Sequence, residues 1–173
     1  MLMGFSVSNY KSFKDTQQIS FLASKIVRHK SHVALRGTKR ILKGGLIFGA
    51  NAGGKSNLVT AISFSREIIT RGLDAVNLNK NHFRIAEGMY KQPGVFEYRV
   101  MVNGREYSYG LVISYAEKII LSEWLLRMEP DGTEVYLYNR EVDDDGISHA
   151  ESEIEYASME ERFRMRFYLE GFG

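Results

Sequence analysis

The sequence predicts an α/β fold, in which a mixed sheet carries one amphipathic helix and continues into a mainly antiparallel β lobe. Three observations predict it: apolar alternation at the N-terminus, a helical apolar face behind a glycine-rich segment, and an Asn-Gly turn between two alternating runs. The 173 residues are enough for one domain, and 44% hydrophobic with 25% charged residues exclude a mainly disordered chain. No apolar run approaches the roughly 18 residues that a membrane-spanning helix needs.

The N-terminal part predicts three strands. Apolar residues alternate with polar or small ones over residues 3–7 and again over residues 19–23, which predicts an antiparallel pair. Residues 24–45 form a predicted connection. The Leu-Ile-Phe run at residues 46–48 is wholly apolar and predicts a short, buried central strand.

A helix is predicted next, and it ends at Arg71-Gly72 with a basic residue in its last turn and a glycine after it. Its apolar face follows three- and four-residue spacing. The face consists of Leu58, Ala61, Ile62, Ser65, Ile68 and Ile69.

The β lobe is predicted from its turns. Asn103-Gly104 predicts a two-residue hairpin turn, which pairs Val102 with Arg105 and Phe96 with Leu111. A third strand is predicted over residues 119–128, and Pro130-Asp131-Gly132 turns it into a fourth over residues 135–138. The lobe is therefore a meander of four strands.

Four regions follow from these elements. Residues 1–72 form a predicted nucleotide-binding core, residues 73–94 an irregular connection, and residues 95–140 the antiparallel lobe. Residues 141–173 are predicted to hold an acidic loop and a helix over residues 159–169.

The charge is unevenly distributed along the chain. Residues 1–66 hold 11 Lys and Arg against one acid, whereas residues 67–173 hold 12 against 20. Residues 25–43 alone carry seven Lys and Arg and no acid. This basic part indicates an anionic partner, either nucleotide or nucleic acid, or else a solvated basic loop.

The Walker A pattern, G-x-x-x-x-G-K-[ST], is met by eight consecutive residues: Gly49, Ala50, Asn51, Ala52, Gly53, Gly54, Lys55 and Ser56. Glycines let the backbone curl so that several N–H groups face one anion, and the following helix adds the positive end of its dipole. Lys55 is the predicted ligand of the β- and γ-phosphates, and the Ser56 hydroxyl that of Mg²⁺. The pattern therefore predicts ATP and Mg²⁺ as cofactors.

A complete hydrolytic site is not visible in the sequence. No segment after Ser56 has four apolar residues ending in Asp, the Walker B pattern, and no LSGGQ-like signature is present. The closest segment, residues 119–123, has serine at the aspartate position and predicts a plain sheet strand. The Asp-Asp-Asp-Gly run at residues 143–146 imitates GTPase and EF-hand motifs but is predicted to be a solvated acidic turn. No catalytic residue is identified.

The order of these pieces resembles the N-terminal half of an ABC/SMC-type ATPase head. The resemblance rests on Asn9-Tyr10-Lys11-Ser12-Phe13 and on the Walker A residues, which are followed by Asn57-Leu58. The resemblance is to the branch that holds RecF, SMC, OLD and AAA-type abortive-infection ATPases. It implies the P-loop NTPase lobe of an ABC/SMC head.

The resemblance also implies roles for residues outside the Walker A pattern. Lys11, Ser12 and Asn57 are expected near the nucleotide, and Gln92 is a candidate Q-loop glutamine. Gly53 departs from the family, which often has serine there. Because a signature motif, a Walker B strand and a switch histidine are missing, the resemblance implies an N-terminal lobe of a larger ATPase.

The motif predicts a lobe that binds nucleotide without hydrolysing it by itself, and the resemblance implies a cytoplasmic ATP-binding lobe that acts in DNA transactions or phage defence. Expected partners are the remainder of the head or a second head, as in a homodimer, and DNA or a nuclease effector. No membrane partner is expected. The alternative is a non-hydrolysing module that senses nucleotide or binds nucleic acid.

Overall fold

The computed structural model describes residues 1–25 and 29–153 of the chain. In that part, a seven-stranded sheet and a two-stranded hairpin accompany a 17-residue helix. The elements are β1 (Leu2–Ser8), β2 (Gln17–Ser20), β3 (Val33–Arg36), β4 (Lys39–Leu42), α1 (Lys55–Arg71), β5 (Gly94–Val102), β6 (Arg105–Ser114), β7 (Ile119–Met128), β8 (Glu134–Val142) and β9 (Ser148–Ser152). The fold class is thus α/β, as the sequence predicts.

The large sheet has the strand order β2-β1-β5-β6-β7-β8-β9. Each of its pairings is antiparallel, whereas the sequence predicts a mixed sheet. β1 lies directly beside β5, so strands from the first and third predicted regions share one sheet. The predicted β1–β2 pair is confirmed, with Phe5 opposite Ile19.

Residues 46–48 were predicted to be a buried strand, and this prediction is wrong. Leu46 and Phe48 are 84% and 85% exposed, and Ile47 is 45% exposed. A strand needs partners for its backbone N–H and C=O groups. No strand within residues 1–25 and 29–153 pairs with this segment. Because the predicted central strand does not form, the sheet gains no parallel pairing from it.

The β5–β6 hairpin confirms the predicted turn and register. Asn103 and Gly104 both have positive φ, at 49° and 79°, as a type I′ turn requires. Val102 pairs with Arg105, and Phe96 pairs with Leu111. The predicted third and fourth strands are also present, as β7 and β8.

Helix α1 covers one face of the sheet over β1, β5 and β6. Phe64 and Ile68 pack into a core with Phe5, Phe96 and other buried side chains. The apolar face is rotated from the predicted one, because Phe64 is buried whereas Ile69 is 41% exposed. Gly72, with φ of 86°, follows the last turn, and its N–H donates to the Ile68 carbonyl, so the predicted end of the helix is confirmed.

The β3–β4 hairpin covers part of the opposite sheet face. Ile41 is fully buried against Met3 and Met101, with Phe21 beside them. This small second core fixes the basic residues of the hairpin to the sheet. Residues 24–45, predicted as a connection, therefore contain a structured β-hairpin.

The acidic turn between β8 and β9 is tied together by Asp143. Its carboxylate accepts hydrogen bonds from the backbone N–H groups of Asp145 and Ile147 and contacts the His149 ring at 2.7 Å. The bond with His149, and then those from the backbone, hold the pKa of Asp143 below its usual value. The interpretation as an acidic turn is confirmed. The carboxylate oxygens of Asp143 are already hydrogen-bonded within the turn.

Two further observations complete the description. The predicted helix over residues 159–169 lies outside the described residues. In the part of the chain that the structure describes, no helix is both long and apolar enough to span a membrane.

Candidate functional site

The glycine-rich loop lies between the unpaired segment 46–48 and the first residue of α1. A turn closes it, since the N–H of Gly53 donates to the carbonyl of Ala50 at 3.1 Å. Ala52 and Gly54 have positive φ, at 63° and 84°. Such values are uncommon for a residue with a side chain, so Ala52 is held in a sparsely populated conformation at this turn.

The N-terminus of α1 is open toward the loop. Gly54 is the N-cap and has no side chain to satisfy the helix N–H groups, and the first turn contains no acidic residue. The N–H groups of the first turn have no partner within the helix, and the helix dipole places partial positive charge there. This end of the helix thus fits an anion.

Lys55 lies across the loop. Its ammonium donates to the carbonyls of Gly49 and Ala50, both at 2.7 Å, and so joins the helix start to the beginning of the loop. An ammonium has three donors, which leaves one for another acceptor. The predicted lysine is therefore at the loop but is bonded to backbone oxygens.

Ser56 is exposed in the first turn of α1. Its hydroxyl is the residue type that P-loops use toward Mg²⁺. Within the described residues, no group of three His, Asp or Glu side chains could hold a metal ion. The remaining ligands would have to be phosphate oxygens, water or other polypeptide.

The turn after β1 packs on the start of α1. Tyr10 and Phe13 exchange backbone hydrogen bonds at 2.9 and 2.8 Å, which places Lys11 and Ser12 at the tip of a tight turn. The Ser12 hydroxyl accepts a hydrogen bond from the Asn57 amide at 2.8 Å. Lys11 is directed to the second turn of α1 instead, with its ammonium 3.3 Å from the Thr60 hydroxyl.

Tyr10 anchors this turn in the core. Its ring is 1% exposed and packs against Phe64 and Phe96. Its hydroxyl donates to the Thr60 carbonyl at 3.3 Å. Burial raises the pKa of Tyr10, so the hydroxyl stays protonated and keeps this bond at neutral pH.

Asn9 is an organising residue to which the sequence analysis assigned no structural role. It is buried, with φ of 47°, and its amide donates to the carbonyls of Met89 and Gln92 and accepts from the N–H of Phe83. These bonds tie the turn after β1 to the irregular connection. An Asn directly after a strand was the available signal, since Asn tolerates left-handed φ.

Gln92 contributes its backbone carbonyl to Asn9. Its side chain is exposed. These observations do not test its candidacy as a Q-loop residue, which stays a prediction.

Glu123, in the segment closest to a Walker B pattern, is a half-buried residue of β7 that is paired with neighbouring side chains. It accepts hydrogen bonds from the hydroxyls of Tyr109 and Tyr138 and lies 3.9 Å from the Arg140 guanidinium. Burial first, and then Glu123, raises the pKa of Tyr109, so its hydroxyl remains a donor. The prediction of a plain sheet strand is confirmed.

The basic segment, here residues 25 and 29–43, is only partly paired. Lys39 forms an ion pair with Glu106 at 3.4 Å, and Glu106 also bonds Arg99. Arg36 donates to the Leu35 carbonyl and is exposed. The hairpin tip meets the β5–β6 turn, because a Cβ on Gly37 would lie 3.1 Å from the Gly104 carbonyl oxygen.

Comparison with known families gives one match. The family model described as "AAA domain, putative AbiEii toxin, Type IV TA system" matches residues 46–157, which is more than half of the chain. The matched range starts with the apolar segment before the loop and includes α1 and the strands from β5 to β9. A comparison with curated proteins gives no match.

Proposed function

Because the chain belongs to this AAA domain family of the abortive-infection and toxin–antitoxin class, we propose that it binds ATP and Mg²⁺ at residues 49–56. The observation that carries the proposal is the open N-terminus of α1, with Lys55 across the loop in front of it. Backbone N–H groups and one lysine are the groups that P-loops use for phosphates. In the whole protein, this lobe would belong to an ABC/SMC-like ATPase.

In this proposal, the backbone N–H groups, Lys55 and Ser56 have different roles. The N–H groups of the loop and of the first turn of α1 bind the phosphates. Lys55 exchanges its two carbonyl partners for phosphate oxygens, which are stronger acceptors because they are charged. Ser56 offers its hydroxyl to Mg²⁺, which neutralises phosphate charge when bound.

We propose that hydrolysis needs groups from outside this site. No Walker B aspartate follows Ser56 in the sequence, and Glu123 is already paired with tyrosine hydroxyls and Arg140. The exposed segment 46–48 leads into the loop and is apolar on both sides of its backbone. This supports further polypeptide, from the rest of the head or from a second head, as the source of neighbouring strands and catalytic groups.

The wider role that we propose is in phage defence or DNA transactions in the cytoplasm. ATP would join two heads, and hydrolysis would release them to control an effector such as a nuclease. The alternative within the same site is nucleotide sensing without hydrolysis. A homodimer is the partner arrangement we expect.

The test is an ATP titration of the wild type and of Lys55→Ala in the presence of Mg²⁺. We expect the affinity of Lys55→Ala to be at least about tenfold lower, because the loop keeps its N–H groups but loses its cation. Lys91→Ala, which removes an exposed lysine outside residues 49–56, is the matched control and should bind as the wild type does. Equal ATP affinity in Lys55→Ala and the wild type would contradict the proposed site.

A second function is supported by the basic segment. Lys39 is paired with Glu106, but Lys30, Arg36 and Lys43 add exposed positive charge on and beside the hairpin, in a segment with no acid. We propose this surface as a nucleic-acid contact, whose affinity would depend on salt because bound phosphates release counterions. The alternative is a solvated loop that only raises the local concentration of anions.

The experiment for this second function is a titration of labelled duplex at two salt concentrations. The variant Lys30→Glu/Arg36→Glu/Lys43→Glu should abolish binding and leave ATP affinity largely intact. It spares Lys39, whose reversal would also break the ion pair with Glu106. Absence of binding by the wild type at low salt eliminates the nucleic-acid function for this lobe.

A further inference from the structure

One hydrogen bond between two fixed elements joins the turn after β1 to the first turn of α1. The Asn57 amide donates to the Ser12 hydroxyl at 2.8 Å, although the two residues are 45 positions apart. Both side chains belong to fixed elements, because Asn57 is in the helix and Ser12 is in the tight turn closed by Tyr10 and Phe13.

Gly54 shows how closely these elements approach. A Cβ on Gly54 would lie 2.9 Å from Cε1 of Phe13 and 3.2 Å from the Ser12 hydroxyl oxygen. The N-cap of α1 is therefore in close contact with Ser12, which accepts the hydrogen bond, and with its neighbour Phe13. The position of the helix start relative to the sheet is set on this side by Ser12, Phe13 and Asn57.

Other residues of the turn hold its position as well. Asn9 is bonded to the connection that precedes β5, and Tyr10 is buried and bonded to the Thr60 carbonyl of α1. Ser12 thus belongs to a turn that is fixed before the Asn57 bond is counted. A hydrogen bond between two groups that are already in place loses less conformational entropy than one between mobile side chains.

We infer that Ser12 and Asn57 are positioning residues, which hold the first turn of α1 in the orientation that binds phosphate without themselves contacting the nucleotide. This inference rests on the proposed function, since it assigns these residues an indirect role at the same site. The Asn57 amide N–H and the Ser12 hydroxyl oxygen are directed at each other, which favours an indirect role over direct contact with the nucleotide. The bond couples the sheet to the phosphate-binding N–H groups.

The first measurement is ATP affinity for Ser12→Ala, Asn57→Ala and the double variant. We expect each single variant to bind about threefold more weakly, which is the effect of one modest hydrogen bond. The double variant should be no weaker than either single one, because both changes remove the same bond. Ser12→Thr keeps a hydroxyl and should restore binding. Ser63→Ala, an exposed serine in the same helix, is the matched control and should have no effect.

The second measurement needs no nucleotide. The N–H of Leu58 donates to the Gly54 carbonyl at 3.1 Å, so its hydrogen exchange reports opening of the first turn of α1. We expect faster exchange at Leu58 in both alanine variants and wild-type exchange in Ser12→Thr and Ser63→Ala. If the two residues only stabilised the fold as a whole, the variants would lower the free energy of unfolding without a selective change in hydrogen exchange at Leu58.

The outcomes separate this inference from the proposed function. Additive losses of ATP affinity with unchanged Leu58 exchange would overturn positioning and show that both residues contact the nucleotide. Unchanged ATP affinity in both alanine variants would show that neither Ser12 nor Asn57 has a role in nucleotide binding. If the wild type itself binds no ATP, the proposed function fails, and unchanged Leu58 exchange would then overturn the positioning of the helix start as well.

Discussion

Gly54 carries two constraints at once. Its φ of 84° is in the left-handed region, and a Cβ would contact the ring of Phe13. Glycine meets both demands because it has no side chain. The glycine thus permits the packing of the turn after β1 and, in the proposed function, would also permit the approach of phosphate.

Gly54→Ala should therefore weaken both stability and ATP binding. The left-handed conformation alone costs an alanine about 1–2 kcal/mol, and the contact with Phe13 adds to it. We expect a lower free energy of unfolding and a loss of ATP affinity. Denaturant titration and nucleotide titration measure the two effects. Gly44→Ala is the control, because a Cβ at Gly44 meets nothing within 4 Å; equal effects at the two positions would contradict this explanation.

Among the elements, the β6–β7 pair depends on one residue without a side chain. Gly110 lies directly opposite Trp124, and the indole ring crosses the glycine. A Cβ on Gly110 would come within 2.0 Å of Cζ2 of Trp124. The tryptophan thus covers the space that a side chain at residue 110 would fill, and the two residues fit only as a pair.

Gly110→Ala should destabilise the fold by about 1–3 kcal/mol, the usual cost of overfilling a packed site. The melting temperature and the free energy of unfolding give the measurement. In a Trp124→Leu background, the same Gly110→Ala change should cost much less, because the ring that it contacts is gone. If the cost were the same in both backgrounds, the explanation by the indole ring would be wrong.

As a whole, the isolated 173-residue chain should bind nucleotide without turning it over. The sequence offers no Walker B aspartate or signature serine, so Mg²⁺ would be incompletely held and the attacking water would lack a base. We expect no phosphate release above background from the isolated chain at saturating ATP and Mg²⁺. Robust release that disappears in Lys55→Ala would reveal a catalytic carboxylate within this chain.

The sequence was a good guide where structure depends on neighbours along the chain. Helix α1 and the Asn103-Gly104 turn form from contacts over a few residues, so spacing and turn chemistry predict them. The Walker A residues are likewise contiguous, and their open helix start follows from the glycine at the N-cap. Even here the burial of Phe64 instead of Ile69 depended on what the helix packs against.

By itself the sequence determined the α/β class, the helix, the hairpin register and the position of the glycine-rich loop before α1. The tertiary structure alone decided that β1 lies beside β5, that residues 46–48 stay exposed, and that Ser12 meets Asn57. These features depend on which strand edges and apolar faces are available to pair in space. A local pattern shows which apolar side chains and backbone groups of a segment can be buried or hydrogen-bonded. The groups that pair with them come from distant parts of the chain.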